Sequence, residues 1–184
     1  MTQDLTGKKV AFLLHNSGVE QAELTTPWKA FGDAGASTML IAPEKGEVQA
    51  FNNDVEKADT FDADLAVSDA DAADYDALVL PGGTTNTDSL RMDTGAVAFV
   101  KSFADAGKPI AAICHGPWTL VEGGLVDGKT LTSYPSLQTD IRNAGGTWVD
   151  EKSFTCPDNG WTLVTSRDPD DLEAFVEAAA DAFA

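Results

Sequence analysis

The sequence predicts an α/β fold in which a mostly parallel sheet is covered by helices on both faces. Short continuous apolar runs at residues 9–15, 37–42, 76–80 and 110–113 read as fully buried strands. Segments with apolar residues at helical spacing lie between them, and Gly and Pro punctuate the junctions. The chain has 184 residues, 43% of them hydrophobic. Folding at this length buries roughly 70% of the unfolded surface, enough for one core. No linker, low-complexity tract or internal repeat divides the chain, so a single domain over residues 1–184 is expected.

Each element follows from local pattern. Residues 9–15 form the first strand, and residues 21–34 carry Leu24, Trp28 and Phe31 at helical spacing. Residues 37–42 make a second strand, ended by Pro43. Residues 44–75 are polar and Asp-rich with short apolar pairs, which predicts hairpin-like strands and loops. The run 76–80 is a strand leading into Pro81-Gly82-Gly83, and residues 96–103 form a helix ending near Gly107. The apolar run 110–113 leads to Cys114, and residues 118–122 before Gly123-Gly124 read as a helix. Further strands are expected near 130–132, 148, 154 and 161–164, with helices over 137–144 and 171–183.

The charge is lopsided: 30 acidic residues face 12 basic ones, for a net charge of −18. The acids are spread through a hydrophobic chain rather than gathered in a tail, so they describe the skin of a folded protein. Such a surface repels nucleic acid and anionic membrane, and neither is expected as a partner. Its self-repulsion fades at molar salt, where the Debye length is about 3 Å, which points to the cytoplasm of a halophile as the native solvent. Two cysteines imply no disulfide framework and suit a reducing cytosol. Residues 1–9 lack the apolar core of a signal peptide, and no run approaches the roughly 20 apolar residues that span a bilayer. A soluble, cytoplasmic protein is expected.

Three strand ends converge at one edge of such a sheet, where ligands of open α/β folds bind. The first strand leads to Glu20 beyond Asn16-Ser17-Gly18-Val19, the strand at 76–80 to Gly82-Gly83, and the run at 110–113 to Cys114-His115. A cysteine at a strand-to-helix corner fits a nucleophile aimed at substrate, or a small buried residue. A glycine pair fits backbone donors of an oxyanion hole, or a plain turn. Glu20 fits a proton-handling acid, or a carboxylate at a helix start. The Asn16–Glu20 segment lacks a Gly-rich phosphate-binding pattern, and two His with two Cys show no ligand spacing. No cofactor and no metal are expected.

The segments Asp76–Gly83, Gly107–Pro117 and Thr132-Ser133-Tyr134-Pro135 resemble the ThiJ/PfpI family of the class I glutamine amidotransferase-like superfamily. The PfpI-type intracellular proteases and stress proteins are the nearest branch. The resemblance implies a flavodoxin-like three-layer α/β/α sandwich, a nucleophile at Cys114 and a carboxylic acid at Glu20. It also implies oxyanion donors at the Gly83 and His115 backbone, with Tyr134 at the substrate pocket; His15, at the end of the first strand, reads as a pocket or packing residue. In PfpI-type enzymes a carboxylate after the Pro-Gly-Gly turn reaches the histidine beside the nucleophile across an oligomer interface. Asp88 offers that group here, one residue farther from Gly83, and a dimer or hexamer is implied. Two functions follow: a thiol enzyme acting on reactive carbonyls, glycated adducts or peptides, or a redox-sensing or chaperone-like stress protein in which Cys114 is oxidised.

The charge reading is checked by melting the protein from tens of millimolar to molar potassium chloride. The midpoint should climb across the range; a flat profile removes the high-salt assignment.

Overall fold

The computed structural model describes residues 3–184. Its central sheet has seven strands: β1 (Lys9–Leu13), β3 (Ser37–Ala42), β6 (Leu65–Ala66), β7 (Ala77–Leu80), β8 (Ile110–Ile113), β11 (Ser153–Cys156) and β12 (Leu163–Ser166). They lie in the order β11-β12-β8-β7-β1-β3-β6. Neighbouring strands run parallel except β11, which pairs antiparallel with β12 at one edge.

The apolar runs are continuous because alternate residues serve two cores. Val10, Phe12 and Leu14 face one side with Val79, Ala111, Ile113 and Val164. Ala11 and Leu13 face the other with Leu78, Leu80, Ile110, Ala112 and Leu163. Helices α1 (Gln21–Asp33) and α6 (Leu172–Phe183) cover the first face through Leu24, Phe31, Phe175 and Phe183. Helices α3 (Thr94–Asp105), α4 (Pro117–Glu122) and α5 (Gln138–Asn143) cover the second through Phe99, Phe103, Leu120 and Ile141. The result is the expected three-layer α/β/α sandwich.

The polar stretch after β3 holds the expected hairpin, β4 (Gly46–Asn52) with β5 (Glu56–Ala63). Asn53 and Asp54 at its turn have φ of 53° and 64°, the left-handed region that short polar residues tolerate best. The segment between the first strand and first helix, to which the sequence pattern assigns no element, is a strand, β2 (Ser17–Glu20), which pairs in parallel with β4. Its sequence lacks strand periodicity; only the docked hairpin supplies its partner. Helix α3 begins two residues before the predicted start because Asp93 caps it, accepting the Ala96 N–H at 2.8 Å. A short helix, α2 (Thr84–Leu90), follows the glycine pair. The strands near 130 and 148 form a separate parallel pair, β9 (Thr130–Leu131) with β10 (Thr147–Trp148).

Among the described residues no helix is long and apolar enough to cross a membrane. Phe31 ties α1 to the rest of its core, with its ring centroid 6.2 Å from Phe12 and 5.4 Å from Phe183. It is fully buried. Phe31→Ala should destabilise the fold by about 3–5 kcal/mol, read as a lower urea midpoint at unchanged slope.

Candidate active site

Strand β8 ends at Ile113, and Cys114 turns the chain with φ of 61° before α4 begins at Pro117. A side chain in this region costs of order 1 kcal/mol or more, so the surrounding bonds must impose it. The Cys114 N–H donates to the Ser166 carbonyl at 3.0 Å and its carbonyl accepts from the Tyr134 N–H at 2.9 Å. With both backbone groups held, the side chain is directed toward a cavity of about 320 Å³ that it lines with Glu20, Glu23, Asp54, Thr84, His115 and Tyr134.

The carboxyl group packed beside Cys114 belongs to Glu23, whose two oxygens are buried without a hydrogen-bond partner among the described residues. This corrects the assignment of Glu20. Glu20 closes β2 at the cap position of α1, and its oxygens accept the backbone N–H groups of Asn53 at 3.0 Å and Asp54 at 3.1 Å. Glu23 lies one helical turn inward, on the buried stripe it shares with Pro27 and Phe31. Spacing alone could have marked it: a carboxylate in phase with buried apolar positions is a candidate for a perturbed acid.

The approach is tight enough to require glycine. A Cβ on Gly82 would stand 2.2 Å from Glu23 Oε2 and 2.7 Å from the Cys114 Cβ. Gly83, with φ of 95°, allows a second close approach, since a Cβ there would lie 2.2 Å from the Gly18 carbonyl oxygen. Asn86, wholly buried, holds this turn by donating to the carbonyls of Pro81 and Gly82 and accepting the His15 N–H at 2.6 Å.

Burial pushes Glu23 up to about 8, so its carboxyl is protonated at neutral pH; its approach to Cys114 opposes the rise, and the charge of Glu20 adds to it. Burial also raises the Cys114 thiol, and a charged Glu23 would raise it further. The backbone N–H groups of Gly83 and His115, expected to serve an oxyanion, lie beside the sulfur and work the other way. The two side chains titrate as a pair: when Glu23 holds the proton, it removes the like-charge repulsion and adds a donor to the thiolate.

His115 Nδ1 lies 3.2 Å from the Cys114 sulfur, so the histidine faces its sequence neighbour. Burial lowers its pKa, opposed by the charge of Asp54. Its ring stacks on Tyr134 with centroids 4.7 Å apart, and Tyr134 lines the cavity as expected. His15 does not line it. The residue is half-buried just beyond β1, with its Nδ1 unpartnered among the described residues. Asp88 lies within α2, its exposed carboxylate 3.3 Å from Arg91 Nε, and in the same chain it does not line the cavity. The acid that approaches His115 within the chain is Asp54, which the sequence reading did not single out. Cys156, the second cysteine, ends β11 and is buried.

Among the described residues no group of three His, Cys, Asp or Glu side chains is placed to hold a metal ion.

Comparison with known proteins matches this architecture. A model of the DJ-1/PfpI family covers residues 8–182. General stress protein 18 of Bacillus subtilis is 41% identical over 169 residues, spanning 92% of this chain and 94% of its own. Protein/nucleic acid deglycase 2 of Escherichia coli is 36% identical, spanning 91% of this chain and 93% of its own. The crystal structure of Drosophila melanogaster DJ-1beta superposes with a TM-score of 0.80 at 27% identity, covering 95% of this chain and 89% of that one. The resemblance carried by the Pro-Gly-Gly turn and the cysteine corner extends through nearly the whole sequence, and the chain belongs to the DJ-1/PfpI family.

Proposed function

We propose that this protein is a cysteine-dependent enzyme of stress protection that acts on small reactive carbonyls or on the adducts they leave on proteins. The observation that carries the reading is the cluster at the cysteine corner: Cys114 with His115 Nδ1 3.2 Å from its sulfur, and Glu23 lining the same cavity with the Gly82-Gly83 turn packed against both. The thiolate attacks an aldehyde carbon, and the C=O π electrons move onto oxygen. The Gly83 and His115 backbone donors, or neighbours of them, stabilise that oxyanion. Proton transfer from Glu23 or His115 completes a hemithioacetal. For a 2-oxoaldehyde, moving the C1 proton to C2 through an enediol gives a thioester, which water hydrolyses to the 2-hydroxy acid and the free thiol. The net change is addition of one water, with no external oxidant.

The likeness to a deglycase of Escherichia coli and to a general stress protein of Bacillus subtilis supports this reading. A cavity of about 320 Å³ suits a small carbonyl or one modified side chain better than an extended peptide. Its lining includes Glu20 and Asp54 and, among the described residues, neither Lys nor Arg. Neutral dicarbonyls are therefore favoured over carboxylate-bearing ones such as glyoxylate. The cytoplasm, where thiols stay reduced, is the compartment this chemistry needs.

The test is turnover of methylglyoxal and glyoxylate in high salt. Wild type should convert methylglyoxal in preference to glyoxylate, and Cys114→Ala should abolish conversion. Glu23→Gln keeps a donor to the sulfur but cannot release a proton, so kcat should fall by about 10²–10⁴ while alkylation of Cys114 by iodoacetamide persists. Glu20→Gln, which loses one acceptor at the hairpin tip but no group at the sulfur, should lower kcat less than Glu23→Gln does. Absence of turnover with rapid peroxide oxidation of Cys114 would overturn the enzymatic reading in favour of a redox-sensing stress protein.

Glu23 also sets a pH dependence of stability. Between its ordinary value of 4.5 and about 8 the folded state holds a proton that the unfolded state has lost. Stability contributed by this group is thus complete below the lower value and declines through the upper one, by about 1.4 kcal/mol per pH unit. Chemical denaturation of wild type and Glu23→Gln from pH 5 to 8 should show the difference between them widening in favour of the variant.

A further inference from the structure

We propose that Asp54, acting through the Thr84 hydroxyl, fixes the tautomer of His115 so that its Nδ1 faces Cys114 as a proton acceptor. The proposal rests on Cys114 as the nucleophile and assigns positioning residues to it.

The argument follows one proton. Thr84 Oγ1 lies 2.8 Å from Asp54 Oδ2 and 3.4 Å from His115 Nε2. A hydroxyl has one hydrogen, and a carboxylate is the stronger acceptor. The hydrogen therefore goes to Asp54, and Thr84 presents a lone pair to the imidazole. Nε2 must then carry the ring hydrogen, which leaves Nδ1 unprotonated at 3.2 Å from the sulfur. Ser136 Oγ, 3.5 Å from Nε2, can rotate to donate or accept and does not set the choice.

The carboxylate is itself immobilised. Its Oδ1 accepts the Thr84 N–H at 2.7 Å, so both oxygens engage one residue. The Asp54 N–H and that of Asn53 are seated on Glu20. Glu20 is thus the anchor of the hairpin tip that carries Asp54. The titratable groups around the imidazole are Cys114 on its own corner, Glu23 from α1, Glu20 from β2, Asp54 from the hairpin and Tyr134 before α5. Arg91 is one ring removed, over Trp118. Of these only Asp54 approaches the Nε2 side through a hydroxyl.

The chain has two histidines, so ¹⁵N NMR of labelled protein resolves the tautomer directly, with His15→Gln assigning the signals. Wild type should show His115 protonated at Nε2. In Asp54→Asn the amide oxygen keeps the Thr84 N–H and the amide nitrogen donates to Thr84 Oγ1, which turns the hydroxyl hydrogen toward Nε2. That variant should shift His115 to the Nδ1–H form. Thr84→Val should give a mixture, with Cys114 alkylation near neutral pH slowed roughly tenfold or more, and Thr84→Ser should restore both readouts. An unchanged His115 spectrum in Asp54→Asn and Thr84→Val, or a change confined to Asp88→Ala, overturns the proposal. Neither readout needs carbonyl turnover, so failure to process any carbonyl would sink the enzymatic reading and leave this one standing.

Discussion

A carboxyl group buried against a thiol can persist in a folded protein only if the pair carries a proton, and the edge of this sheet is arranged around that requirement. Two charges in contact without water would cost several kcal/mol. Glu23 escapes the cost by staying neutral, and its neutrality makes it a donor rather than a repulsive neighbour to the sulfur. The constraint reaches outward. Gly82 has no side chain because the carboxyl and the cysteine fill the space. Asn86 is buried to hold the glycine turn in place. The strained backbone at Cys114 survives because β12 and the segment before α5 grip it from two sides.

The division of labour between two carboxylates three residues apart shows how burial assigns chemistry. Glu20 and Glu23 have the same functional group and sit on the same turn of chain. Glu20 faces two backbone donors beside the cavity and serves as a structural acceptor. Glu23 faces the interior, where burial keeps it protonated at neutral pH. One helical turn separates a fastener from a proton carrier, because the local dielectric and partners, not residue type, decide the protonation state.

The layers of the fold were legible because strands buried on both faces leave unbroken apolar runs and the covering helices leave a 3.6-residue stripe. The cysteine corner was legible because an apolar run ending in Cys-His-Gly-Pro is a local signal. What escaped was set by tertiary contact. β2 is a strand only because β4 lies beside it. Asp54 joins the site only because an Asp-rich hairpin, unremarkable in sequence, folds its tip onto Glu20. Asp88, implied as a group acting on a neighbouring chain, lies on the outer side of α2 beside Arg91. Glu23 escaped for a reason of phase: what marks it is the buried face of α1, not its distance from the strand end.

Apart from the Asp54 carboxylate on Thr84, the hairpin tip is held at the cavity by its main chain: Glu20 grips two peptide N–H groups, not side chains. The grip is indifferent to what residues 53 and 55 carry, provided that the turn keeps its left-handed backbone, which Asn, Asp and Gly adopt most readily. Seat and contents are thereby uncoupled. Mutations at the tip can change the chemistry displayed at the cavity mouth while the loop stays docked, a layout that lets one scaffold drift between substrates without first losing its shape.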